Sequence, residues 1–235
     1  MFTSKDFKVE LINKEDVKTY IKRHGRFGAV CYNTDEKYAE SVGETCLESG
    51  HLSGSRHLYF EFKITHTPRS EADQMVRQEQ GVNKNVQSFR YVAKNDIDIY
   101  VAPELEGLTE ILNQIQELEK HIGEVYNNIQ VTLKEKLNLT NEECNEIART
   151  VLPIGQSMSY NIAFNIEGLM RLANVRLCNR AEYPIRTISK MMINEVIKAE
   201  PRYKPYLVPQ CIKLGKCPEG KHTCGKLKEM EKLYK

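Results

Sequence analysis

Residues 77–91, RQEQGVNKNVQSFRY, hold two arginines, a lysine, a glutamate, three glutamines, two asparagines and a serine. A buried element cannot satisfy so many donors and acceptors. A plain solvent face has no need of Gly81 or of the closing Tyr91. The chemistry such a set performs best is anion recognition. Guanidinium forks at Arg77 and Arg90 grip a phosphate or carboxylate with defined orientation. Gly81 lets a backbone approach a ligand closely, successive amides there can cradle an anion, and Lys84 adds a cation.

The whole chain does not share this bias. Its 235 residues carry 34 Lys+Arg against 32 Asp+Glu, a net charge of +2, so an anion site has to be a local cluster. That balance excludes a general nucleic-acid or membrane-surface binder. No apolar run reaches the length of a spanning helix, and the first residues form no apolar signal segment. A cytoplasmic protein is the expectation. Seven cysteines, an odd number, then read as thiols rather than as a disulfide framework.

The elements that must position the cluster follow from periodicity. Residues 7–12 and 58–64 alternate as strands, the second half-buried. A short helix is expected over 16–22, ending near Gly25, and another runs from a Thr34 cap to about Glu48. Thr67 and Pro68 read as a helix start carrying Ala72, Met75 and Val76, with Gly81 as the stop. Ile97, Ile99 and Val101 alternate as a strand. From 104 to 137, apolar residues recur at helical spacing, which describes a long amphipathic helix. Thr140 with Glu143 forms a capping box. Residues 158–164 alternate, Asn165 can cap the next helix, and a further helix spans about 180–199. The sum is one α+β domain over 1–205, with a cysteine-bearing tail over 206–235.

The motif that closes the opening stretch, Asn85-Val86-Gln87-Ser88-Phe89-Arg90-Tyr91, resembles the signature of flavin-dependent thymidylate synthases. Three further segments resemble that family in the same order: SGHLSGSRHLYFEF with His51 and His57, ARTVLP with Arg149, and NIEGLMRLANVRLCNRAEYPIR with Asn165 and Arg176. The resemblance spans roughly residues 1–200. It implies a mixed β-sheet flanked by helices and a homotetramer with active sites at subunit junctions. It implies FAD as cofactor, with methylenetetrahydrofolate and NAD(P)H as co-substrates. The reaction it implies is reductive methylation of dUMP to dTMP, without a covalent cysteine, nucleic acid or membrane.

On that resemblance Gln74, Arg77, Ser88, Arg90, Arg149 and Arg176 bind the nucleotide, while His57, Arg77, Asn85, Asn165, Arg171 and Arg180 face the flavin. Ser88 donates a hydroxyl to the phosphate, and Gln74, one turn before Arg77, reads a base or ribose edge. Arg176 has the catalytic part, because a cation beside the ring carbonyls stabilises the charge that develops when C5 becomes nucleophilic.

The family motif commonly opens Arg-His-Arg, whereas this chain has Arg77-Gln78-Glu79 and one extra residue before Asn85. Arg171 and Arg180 stand where the family often has neutral asparagine and histidine, so positive charge is expected to have moved from the loop to those helices. The altered loop leaves two alternatives open: a flavin enzyme making another C5-modified pyrimidine, such as hydroxymethyl, and a non-catalytic nucleotide-binding paralogue. In the tail, Cys211, Cys217, His222 and Cys224 could form a tetrahedral zinc set. Their gaps are not those of C-x-x-C knuckles, so reduced thiols without metal are expected, with Cys31, Cys46, Cys144 and Cys178 as inert packing residues.

Overall fold

A computed structural model describes residues 1–94 and 96–234. In chain order the elements are β1 (Lys8–Leu11), α1 (Lys14–Val17), α2 (Tyr20–Cys31), α3 (Ala39–Glu48), β2 (Phe60–Pro68), α4 (Arg69–Met75) and β3 (Val82–Val86). After these come α5 (Thr109–Leu137), α6 (Asn141–Ala148), β4 (Ser157–Phe164), α7 (Ile166–Arg176), α8 (Tyr183–Ala199), α9 (Gln210–Leu214) and α10 (Leu227–Tyr234). The fold is α+β. Its four strands form one antiparallel sheet in the order β1-β2-β4-β3. Central β4 is buried at every second position, the pattern of a strand with one face on a core.

Contacts divide the chain into two units of interleaved segments. The first comprises Met1–Lys8, Ile64–Met75 and Asn85–Tyr160. Its core includes an aromatic cluster in which Phe7 and Tyr100 stand 5.5 Å apart and Phe2 and Tyr100 5.7 Å apart. Helix α5 packs on α6, and the Thr140–Glu143 capping box starts α6 as its spacing predicts.

The second unit comprises Val9–Lys63, Val76–Lys84 and Asn161–Lys235. Here α8 buries seven side chains, among them Ile185, Ile188, Met192 and Val196. Helices α2 and α3 cross in close contact at two glycines. A Cβ on Gly25 would fall 1.6 Å from the Ala39 carbonyl oxygen, and one on Gly43 would fall 1.9 Å from that of Ile21. Gly25 therefore does not end a helix: α2 runs through it to Cys31, because the neighbouring backbone occupies the space of a side chain.

Other local expectations change. Helix α5 starts at Thr109 rather than 104, and α3 starts at Ala39 without a Thr34 cap. Strand β2 continues through Thr67 and Pro68 before α4 begins. Val82–Val86, within the polar stretch, pairs as an edge strand. Ile99 makes only isolated bridging contacts rather than a strand.

Candidate functional site

Within the first unit the polar stretch leaves β3 and turns at Ser88–Arg90. The Ser88 hydroxyl oxygen accepts from the Arg90 backbone N–H at 3.3 Å, which leaves its own hydrogen available to donate. The Arg90 guanidinium is held between two carboxylates of α6. Nη2 lies 2.8 Å from Glu142 Oε1, and Nε lies 2.9 Å from Glu146 Oε2. The Nε contact is electrostatic rather than an aligned hydrogen bond, since Nε has no acceptor along its N–H direction. Asn145 Nδ2 donates to the Arg90 carbonyl at 3.0 Å and Gln130 donates to Asn145, so α5 and α6 fix the turn from below.

Arg149 follows α6 in a short 3-10 turn and is exposed, with no side-chain partner among the described residues. Gln74 is half-buried on α4. That helix is anchored through Glu71, which is 1% exposed: its carboxylate accepts from the Thr67 hydroxyl at 2.7 Å and from the Tyr160 hydroxyl at 2.9 and 3.0 Å. Burial, then the adjacent carboxylate, pushes the Tyr160 phenol well above its usual range, so it stays a donor at any working pH. Asn85 is exposed on β3.

Sequence reasoning missed Lys94. It is half-buried, with Nζ 4.8 Å over the Phe89 ring and 3.4 Å from Gln87 Oε1. Burial lowers its pKa. The signal available was only its place three residues beyond the motif.

Within the second unit Asn165 is buried and caps α7, its Oδ1 accepting from Gly168 N–H at 3.0 Å. Its own N–H donates to the Gly81 carbonyl at 2.8 Å. Gly81 has φ +62°, and a Cβ there would meet Asn165 Oδ1 at 2.1 Å, so glycine is required for both conformation and space. A Cβ at Gly168 would fall 2.5 Å from the Gln80 carbonyl. The loop that was expected to cradle an anion thus lies directly across the start of α7. Lys84 donates to the carbonyls of Val76 and, at 3.0 Å, Gln78, which ties its charge to that loop.

Arg77 is exposed, with no side-chain partner among the described residues. Arg171 donates to Gln80 Oε1, a neutral acceptor that leaves its charge uncompensated. Arg180, in contrast, pairs with Glu219 at 3.3 Å. Of the two arginines expected to carry relocated charge, one retains it and the other is offset by the tail. Arg176 is half-buried at the end of α7.

His57 is exposed and packs against Phe27, with ring centroids 4.2 Å apart and the planes tilted by 36°. His51 is exposed as well, and its carbonyl bonds Nε2 of the buried His24 at 2.9 Å. Burial lowers the His24 pKa and keeps that ring neutral.

Among the described residues, Arg149 in the first unit and Arg77 and Arg171 in the second have no acid paired with them. The side chains also provide a hydroxyl donor at Ser88, an amide at Gln74 and an exposed aromatic–imidazole ledge. This is equipment for binding anionic, planar ligands. Residues 14–202 match the family described as "Thymidylate synthase complementing protein". The chain is 31% identical over 195 residues to the flavin-dependent thymidylate synthase of Clostridium tetani, covering 80% of this chain and 78% of that protein. It is 29% identical over 181 residues to the enzyme of the same name from Nitratidesulfovibrio vulgaris, covering 77% and 73%. For the Pyrococcus abyssi protein of that name the figures are 27% over 218 residues, 89% and 76%. The chain belongs to the thymidylate synthase complementing protein family.

Proposed function

We propose that the protein is a flavin-dependent thymidylate synthase, which methylates dUMP at C5 to give dTMP. Methylenetetrahydrofolate supplies the carbon and NAD(P)H the reducing equivalents through FAD. The observation that carries this reading is a family match over 14–202 that includes every segment from which a site residue was drawn.

Arg77, Arg90 and Arg149 are assigned to the nucleotide anion, together with the Ser88 hydroxyl and the Gln74 amide. Arg77 and Arg149 have their charge available. Arg90 exchanges Glu142 or Glu146 for phosphate, or holds the turn that presents Ser88. Arg176 stabilises the negative charge that builds on the ring as C5 becomes nucleophilic.

The residues fit a flavin dinucleotide. The exposed His57–Phe27 ledge offers a stacking face, Arg77 and Arg171 offer uncompensated charge for a pyrophosphate, and Asn85 and Asn165 offer amides. When bound, the flavin supplies hydride transfer. The chain assembles as a homotetramer on this reading, and the support is α5, whose apolar stripe is largely unburied within the chain.

The test is incubation of purified, flavin-loaded protein with dUMP, methylenetetrahydrofolate and NADPH under anaerobic conditions, with the product identified by mass spectrometry. dTMP is expected. A hydroxymethyl or other C5 product overturns the methylation. A protein that takes up no flavin overturns the reading altogether. Arg176→Ala should abolish dTMP formation while flavin absorbance stays bound; near-wild-type turnover removes the assigned part of Arg176.

A further inference from the structure

The family match ends at residue 202, and the tail beyond it comes back to the end of α7. A cavity of about 290 Å³ lies there, wholly within the second unit. Asn174, Arg176 and Arg180 line it from α7 and the residues just after, and Cys217, Glu219 and Cys224 line it from the tail. Cys178, expected from the sequence to be inert packing, lines it too, whereas His222 stays off its wall.

The tail is fixed at both ends. Leu207 and Val208 are buried ahead of α9, and Met230 is buried on α10. Helix α9 packs on α7, and α10 packs on α9. Between α9 and α10 the chain reverses at Gly215, Gly220 and Gly225, which all take positive φ with open space at the Cβ position. A segment held in this way presents the same side chains to the cavity rather than trailing in solvent.

Two features of the wall point to a ligand. Asn174 keeps its Oδ1 buried with no hydrogen-bond donor among the described residues, and a buried acceptor of that kind is stabilised by a ligand N–H or O–H. Charge supplies the second feature. Residues 210–228 hold five lysines and a single acid, Glu219. That acid sits 3.3 Å from Arg180, with both side chains 48% exposed. A pair so exposed is weak. An organic phosphate, with more charge and more acceptor oxygens, displaces the carboxylate from the guanidinium.

Resting on the assignment of Arg176 to the nucleotide and Arg180 to the flavin, we propose that tail residues 209–230 form a wall of the pocket for these phosphorylated ligands. Glu219 sets the affinity of that wall by competing with phosphate for Arg180. The phosphate belongs to the flavin dinucleotide or to the pyrimidine nucleotide; the two share one chemistry, and separate titrations tell them apart. No covalent bond changes at the wall: the carboxylate leaves Arg180 as the phosphate arrives.

The test uses the full chain with its thiols reduced. Alkylation by N-ethylmaleimide is mapped by mass spectrometry without ligand, with FAD and with dUMP. Cys217 and Cys224, free and partly buried, should react several-fold more slowly once the ligand at the wall is bound. In Glu219→Gln the dissociation constant of that same ligand should fall by about two- to fivefold, the strength of an exposed ion pair, and the gain should shrink in high salt. A gain for FAD assigns the wall to the flavin phosphate, and a gain for dUMP assigns it to the nucleotide.

Unchanged alkylation of both thiols under saturating FAD and dUMP overturns the wall. Unchanged or weakened affinity for both ligands in Glu219→Gln overturns the competition. Those negative results in a protein that binds flavin and nucleotide remove only the part of the tail and leave the proposed function standing. A wild-type chain that binds neither ligand removes both. The alkylation arm uses wild-type protein, so it decides even where the variant does not fold.

Discussion

Helices α5 and α8 read alike as amphipathic sequences, yet the chain uses them differently. The 17 residues of α8 include seven buried side chains, and its stripe is spent on the core of its own unit. The 29 residues of α5 bury only Gly123 and Tyr126. Leu118 remains 49% exposed and Val131 51%. Periodicity states that a helix has an apolar face; it does not state whose surface covers that face. On the proposed homotetramer, this stripe is the face that a second copy would cover.

The largest effect that tests this contrast is in α8. Ile188→Ala should destabilise the protein by about 2–5 kcal/mol, read by thermal or denaturant unfolding, because the fully buried side chain leaves a cavity. An equivalent truncation in α5, Leu118→Ala, should change chain stability by less than ~0.5 kcal/mol when measured on dissociated protein.

Charge placed on the α5 stripe comes next. Leu118→Glu combined with Val131→Glu should reduce the mass of the assembly by light scattering, with helical content intact. An unchanged mass would mean that the stripe covers nothing.

A third comparison concerns what holds each helix region. Thr140→Ala removes the box that starts α6 on α5 and should cost about 1 kcal/mol. At the end of α8, Glu200 is bonded to Arg202 at 2.7 and 2.8 Å, and that contact holds its carboxyl below the usual range. A depressed carboxyl adds stability above its unfolded value and loses it as pH falls through the folded one. The melting temperature should accordingly fall below about pH 4.5, with a shallower slope in Glu200→Gln. The last comparison is at Asn138, where α5 ends in the left-handed region at φ +51°. Asn138→Gly should be close to neutral, whereas Asn138→Ala should cost about 1 kcal/mol.

Features encoded within a turn or two of themselves were legible. The Thr140–Glu143 box, the Asn165 cap and the end of α5 at Leu137 all depend on neighbours in sequence. Features set by distant chain were not. Gly25 looked like a helix stop because the α3 backbone that demands it lies elsewhere in the sequence. The alternation at Ile97, Ile99 and Val101 gave no strand, because the pairing there is confined to isolated bridges.

The candidate site divides along the same line. The arginines were visible as residue types. That Glu142 and Glu146 occupy Arg90, that Glu219 occupies Arg180, and that Arg171 keeps its charge beside Gln80 could be learned only from the folded chain. Cys178 was set aside because the thiols it joins come from a separate stretch of chain.

The α2–α3 crossing has a consequence for change over time. With backbone pressed on backbone at Gly25 and Gly43, a single added methyl at either position pries the pair open. The ledge of Phe27 and His57 rides on that pair, so two of the smallest residues in the chain guard the reach of an aromatic surface. A survey of tolerated substitutions should find this crossing nearly immutable, while the exposed aromatic residues above it vary more freely.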